Sequence, residues 1–93
     1  MKLTITAEHV NKGIPNNSTA CPTALALQDL NYPAVSVGTY TGCVYKDEYS
    51  APIKKFKWST ELIEQICNLD TGRKFLPGDY EITEISLDED VKL

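Results

Sequence analysis

The chain has 93 residues, 42% of them apolar and 24% charged, with a net charge of −4. This length fits one domain that buries somewhat over half of its unfolded surface, and no apolar run approaches the roughly 20 residues that span a bilayer. The acidic balance argues against general nucleic-acid binding, which needs lysines and arginines to displace counterions.

In chain order, Leu3 and Ile5 alternate with polar residues, which predicts a first strand over residues 2–6. Thr6 is placed to cap a short helix over Ala7 to Lys12, with Glu8 in its first turn and Gly13 offering a left-handed end. Pro15 blocks continuation, and Asn16 to Thr19 read as a polar loop. Pro22 fits the first position of a helix over 22–30, with Cys21 as its N-cap. Ala24, Leu25, Ala26, Leu27 and Leu30 make this helix apolar on most sides, as a segment packed on more than one face should be.

Three strands are then expected. The first carries Val35 and Val37 on one face. Thr41-Gly42 offers a hairpin turn into the second, where Val44 is out of phase with Cys43 and Tyr45. The third spans 53–58, with Phe56 and Trp58 on one face, Lys55 and Lys57 on the other, and Lys54 among the aromatics, which points to an edge strand. A second main helix follows, capped by Ser59 or Thr60, with a stripe of Leu62, Ile63, Ile66, Cys67 and Leu69, and a stop at Asp70, Thr71 and Gly72. Pro77-Gly78 reads as a turn into a last strand beginning at Tyr80. The expected fold is α+β: one domain over 1–87, an antiparallel or mixed sheet of four or five strands with two main helices on one face, and an acidic tail over 88–93.

The segment ITAEHVNKGIP followed by CPTALAL resembles a family of small, mostly uncharacterised bacteriophage and prophage proteins. Their pattern, His-Ile-x-x-Gly-x-Pro and then Cys-Pro-x-Ala-Leu-Ala, corresponds here to His9, Val10, Gly13 and Pro15, then Cys21, Pro22, Ala24, Leu25 and Ala26. Leu69, Asp70 and Gly72 stand where Phe-Asp-x-Gly is expected in the family, and Pro77, Tyr80 and Ile82 echo its last strand. Many relatives carry a second cysteine at the position of Ser18. The resemblance implies a phage or prophage accessory protein that works by stoichiometric binding to a host protein, such as a component of a defence system.

Catalysis finds little footing in the residues. There is one histidine, no Ser–His–Asp signature and no phosphate-cradling glycine loop, so a non-enzymatic protein is expected. A thiol at a helix start gains thiolate character, which makes Cys21 the candidate reactive thiol; a small buried residue is the simpler role. Cys21, Cys43, Cys67 and His9 lack the short spacings of a zinc site, so neither a metal nor another cofactor is expected. His9 reads as a loop tie. Lys55, Lys57, Arg73 and Lys74 are the candidate contacts for an anionic small molecule such as a nucleotide signal, and a binder of that kind would oligomerise, since one small domain offers little concavity. The interleaved KKFKW could track a single strand, against the simpler reading of a lysine-guarded edge. The N-terminus has a lysine but no long apolar core or cleavage site, so no signal peptide and a cytoplasmic location, the host cytoplasm for a phage protein, are expected.

Overall fold

A computed structural model describes residues 1–89. The fold is α+β, with element order β1 (Lys2–Ile5), α1 (Ala7–Lys12), α2 (Pro22–Gln28), β2 (Ala34–Val37), β3 (Thr41–Tyr45), β4 (Pro52–Trp58), α3 (Thr60–Asp70) and β5 (Gly78–Ile85). The strands form one antiparallel sheet in the order β1-β5-β4-β3-β2. The chain starts on one edge, crosses through α1 and α2 to the other, meanders back through β3 and β4, and inserts β5 between β4 and β1.

Alternation assigns the two faces. Leu3, Ile5, Val35, Val37, Val44, Phe56, Trp58, Tyr80 and Ile82 point inward and meet Ala24, Ala26 and Leu27 of α2 and Leu62 and Ile66 of α3. Lys55 and Lys57 of β4, Cys43 and Tyr45 of β3, and Glu81 and Thr83 of β5 occupy the helix-free face. Helix α2 contacts β1 and β2, the two edges of the sheet, because the sheet curls around it. That explains why Pro22, Thr23, Ala24, Ala26 and Leu27 are all buried within seven residues. Each fully buried large apolar side chain contributes about 1.5–3 kcal/mol, so α2 is held by its surroundings rather than by its length.

Several local expectations need correction. Strand β4 is the centre of the sheet, not an edge. Lys54 shares the aromatic face, where its Nζ lies 6.0 Å from the Tyr32 ring centroid and 3.9 Å from Glu84 Oε1. Thr41 and Gly42 belong to β3. The hairpin turns at Thr39 and Tyr40, closed by the Gly38 N–H donating to the Thr41 carbonyl at 2.8 Å. Gly42 serves a different purpose: a Cβ there would lie 2.4 Å from Trp58 Cζ2, so its lack of a side chain makes the slot for the indole. The Trp58 Nε1–H donates to the Gly38 carbonyl at 3.0 Å and ties the hairpin to β4.

Gly13 is extended, with φ −67°, and does not end α1 in a left-handed conformation. A Cβ on it would meet Cδ, Cγ and N of Pro22 at 2.4, 2.5 and 2.6 Å, so glycine is required there by close packing. Helix α2 stops at Gln28, earlier than expected; Asn31 takes the left-handed conformation, with φ 69°, and Leu30 is exposed. On α3, Ser59 is the cap, accepting from the Leu62 N–H, and Leu62 and Ile66 are buried, but Cys67 faces solvent. Gln65 takes the inward place instead, its Oε1 accepting the Leu76 N–H at 2.8 Å. Gly72, with φ 83°, ends the helix in the left-handed region. Of the expected acidic tail, Asp88 and Glu89 lie in a turn on Ser86, while 90–93 are outside the described residues.

Candidate functional site

Three segments of the sequence pattern converge on one corner. Thr6 and His9 cap α1 reciprocally: the His9 N–H donates to Thr6 Oγ1 at 3.2 Å, and the Thr6 N–H donates to His9 Nδ1 at 3.0 Å. Because Nδ1 accepts, the ring proton sits on Nε2, which donates to Asp29 Oδ2 at 2.5 Å beyond the end of α2. His9 therefore clamps α1 to α2, and both ring nitrogens are spent on it. Together with the Gly13–Pro22 contact, this clamp fixes the exit angle of the loop over 14–20. Within that loop the Ile14 N–H donates to the Ala20 carbonyl at 2.9 Å.

The loop lies between two concavities. The first is a cavity of about 220 Å³ between the start of α2, the β2–β3 hairpin and the end of α3. Asn16, Ser18, Thr39 and Asp70 give it a polar rim, and Val37, Ile66, Leu69 and Phe75 give it an apolar wall. Asp70 holds the loop by accepting the Asn16 N–H at 2.9 Å. Cys21 and Thr23 also line this cavity. Burial pushes the Cys21 thiol up, an effect that the amides of Ala24 and Thr23 offset in part and the Asp70 carboxylate reinforces. At 8% exposure, with no side-chain capping bond, Cys21 fills space at the entry to α2. The Thr23 hydroxyl is fully buried and has no hydrogen-bond partner.

The second concavity is a groove of about 570 Å³ along the free edge of β2. Its lining includes Thr19, Gln28, Pro33, Val35, Tyr45 and Asp47. Hydrogen bonding alternates along an antiparallel strand. The Gly38 N–H pairs across the hairpin with Thr41, so Ser36 and Ala34 face β3 while Val35 and Val37 present their amides to the outside. The Val37 N–H is occupied by the Ser18 carbonyl at 2.7 Å. Val35 keeps an N–H and a carbonyl directed into the groove, and Pro33 has no N–H to give. Gln28 closes the helix side, its Nε2 donating to the Thr19 carbonyl at 2.9 Å.

At the open end, Asp47 shapes the β3–β4 loop, its Oδ1 accepting the Tyr49 N–H and the Ser50 hydroxyl, each at 2.9 Å. The Tyr49 backbone amide and the Ser50 hydroxyl hold the Asp47 carboxyl below its ordinary range. This turn presents Tyr49 with 93% of its surface exposed. Burial, and then the adjoining Cys43 thiol, raises the Tyr45 phenol above its usual range.

The four candidate anion contacts do not share a concavity described here. Lys55 and Lys57 rise from the helix-free face, Lys55 Nζ donating to the Glu89 carbonyl. Arg73 and Lys74 are exposed in the α3–β5 connection. Among the described residues no three histidine, cysteine or acidic side chains converge as a metal site would require, and no helix is long and apolar enough to cross a membrane. The β2 groove escaped sequence reasoning because a strand becomes an edge only through topology; the alternation at Val35 and Val37 was visible, but not which side stays unpaired.

No protein-family model, curated protein or solved structure matches the chain.

Proposed function

We propose that the protein is a non-catalytic binding protein that captures an extended segment of a partner protein along β2. The observation that carries this reading is the N–H and carbonyl of Val35, unpaired among the described residues, on the floor of a groove. An added strand pairs its backbone with such an edge, and its side chains use the flanking walls. The same edge already receives a backbone carbonyl from within the chain, that of Ser18 on Val37. Tyr49 follows Asp47 and Glu48 of the groove's lining in sequence and is exposed, which makes it available as an aromatic anchor of the kind that dominates interface energetics. In keeping with the resemblance to phage and prophage accessory proteins, the partner we propose is a host protein, within that class a component of a defence system, and the site of action the host cytoplasm.

The test is selection of a random peptide library on the protein, followed by amide hydrogen exchange. Enriched peptides should slow exchange at Val35, which is fast in the free protein, and leave Val37 unchanged. Binding should fall in Val35→Pro, which removes the outward N–H at a position where an edge strand accommodates proline. Peptides that bind while Val35 keeps exchanging freely would refute the site. Expression in bacteria whose defence system restricts a phage then tests the biological reading: unchanged restriction counts against a defence component as the partner.

A further inference from the structure

The cavity at the start of α2 is separate from the β2 groove, and its composition is asymmetric. Pro22, Val37, Ile66, Leu69 and Phe75 make one side apolar. Among the described residues the only charged side chain in the lining is Asp70, which is half-buried. Among the described residues no cation pairs with it, and its one hydrogen bond is from the Asn16 amide. Thr23 adds a buried hydroxyl without a partner. A buried polar group left unpaired is costly, and each such group in a folded protein calls for an explanation.

We infer that this cavity binds a primary ammonium group carried on a short aliphatic chain. The charge would lie against Asp70 and offset a carboxylate that is partly removed from water. The hydroxyl of Thr23 would accept one ammonium proton, since an ammonium has three to give. The chain would cover the apolar wall. Anions are disfavoured, because the lining has a negative charge and no positive one. The volume of about 220 Å³ suits a group of a few heavy atoms. Two sources share this chemistry: a free small amine, and the lysine side chain of another polypeptide.

The experiment is a titration of the protein with n-butylammonium, n-butanol and butyrate, followed by amide NMR. A second arm uses N-acetyl-lysine amide, which carries the same butylammonium group between peptide bonds. Saturable shifts confined to Cys21, Thr23, Gly38 and Asp70 are expected with the ammonium, weaker ones with the alcohol, and none with butyrate. Asp70→Asn keeps an acceptor for the Asn16 amide and should weaken ammonium binding about tenfold, the share of a charge-assisted contact. Thr23→Val should weaken it by a smaller factor. Tighter binding of the lysine amide assigns the cavity to a side chain, and tighter binding of butylamine to a free ligand. No saturable shift in the parent protein, equal response to butanol, or preference for butyrate overturns the inference whether or not the variants fold.

Discussion

Replacing Gly13 by alanine tests how the α1–α2 corner is built. The backbone at Gly13, φ −67° and ψ 144°, is open to any residue, so the change introduces no conformational strain. The new Cβ would lie 2.4 Å from Pro22 Cδ and 2.5 Å from Cγ, whereas carbon atoms in good contact sit about 3.5–4.0 Å apart. An overlap above an ångström cannot be relieved by rotating a side chain, because the partner is a rigid ring on a buried residue of α2. Overpacking of this kind costs about 1–3 kcal/mol, and the rigidity of the ring places it in the upper half of that range. Stiffening of the unfolded chain by alanine returns about 0.4–1 kcal/mol. A net loss of about 1–2.5 kcal/mol corresponds to a melting temperature lower by about 4–20 °C in a domain of this size. Differential scanning calorimetry measures it. Adding Pro22→Ala removes Cδ and Cγ but leaves the backbone nitrogen 2.6 Å from the new Cβ, so the double variant should recover part of the clash and be more stable than the sum of the single losses by about 1 kcal/mol. A melting temperature of Gly13→Ala equal to or above that of the parent would refute the contact, and additivity would refute its partner.

Three further outcomes follow from the same geometry. His9→Ala removes the acceptor of the Thr6 N–H and the tie to Asp29, while the backbone N–H of residue 9 still donates to Thr6 Oγ1; urea unfolding should show a loss of about 1 kcal/mol, and an unchanged midpoint would show that the clamp contributes nothing. With iodoacetamide near neutral pH, mass spectrometry should find Cys67 modified first, Cys43 next and Cys21 only in denaturant, following their exposure; early loss of Cys21 would restore it as a reactive thiol. The Cys21 thiol keeps its proton to higher pH in the folded than in the unfolded chain, so its contribution to stability is complete below the unfolded thiol's pKa of about 8.5 and is lost as the pH rises through the folded value. The urea midpoint should therefore fall as the pH rises past about 8.5, and Cys21→Ala should flatten that decline relative to its own neutral value; an identical slope in the variant refutes the assignment.

What could be read from the chain divides along a physical line. Local signals held: Thr6 and Ser59 as caps, Pro22 as the first residue of α2, and the period-2 pattern of Val35, Val37, Phe56 and Trp58 are consequences of backbone hydrogen bonding and pleat. Signals that depend on what lies across the sheet did not. Lysines on β4 suggested an edge, but Lys55 and Lys57 mark the solvent face of a sheet covered by helices on one side only, and Lys54 on the aromatic face reaches Tyr32 and Glu84. Gly42 suggested a turn because glycine in isolation reports conformational freedom, whereas here it reports the space needed by Trp58. Cys67 suggested core because sulfur counts as apolar in a helical stripe, but α3 buries Gln65 on that turn to hold the Leu76 amide. Both concavities are made by segments distant in sequence, and neither has a local signature.

The free part of β2 is short, and this limits what it can bind. Ser18 occupies the Val37 N–H and proline removes the N–H at 33, so Val35 alone offers an incoming strand a complete pair of backbone bonds. At about 0.5–1.5 kcal/mol net for each bond, they supply roughly 1–3 kcal/mol, while micromolar affinity requires about 8 kcal/mol. Most of the binding energy must therefore come from side chains beside the edge. Tyr49, on the Asp47 turn and 93% exposed, is an aromatic surface next in sequence to the groove's lining. The same arithmetic makes pairing of two copies through β2 weak, since backbone bonds alone do not offset the roughly 4 kcal/mol or more that association costs. On the proposed function, the edge would set the register of a bound segment and the loop bearing Tyr49 would set its affinity. Tyr49→Ala should accordingly abolish peptide capture while leaving the exchange rate of the Val35 amide in the free protein unchanged; retention of full affinity in that variant would move the anchor elsewhere.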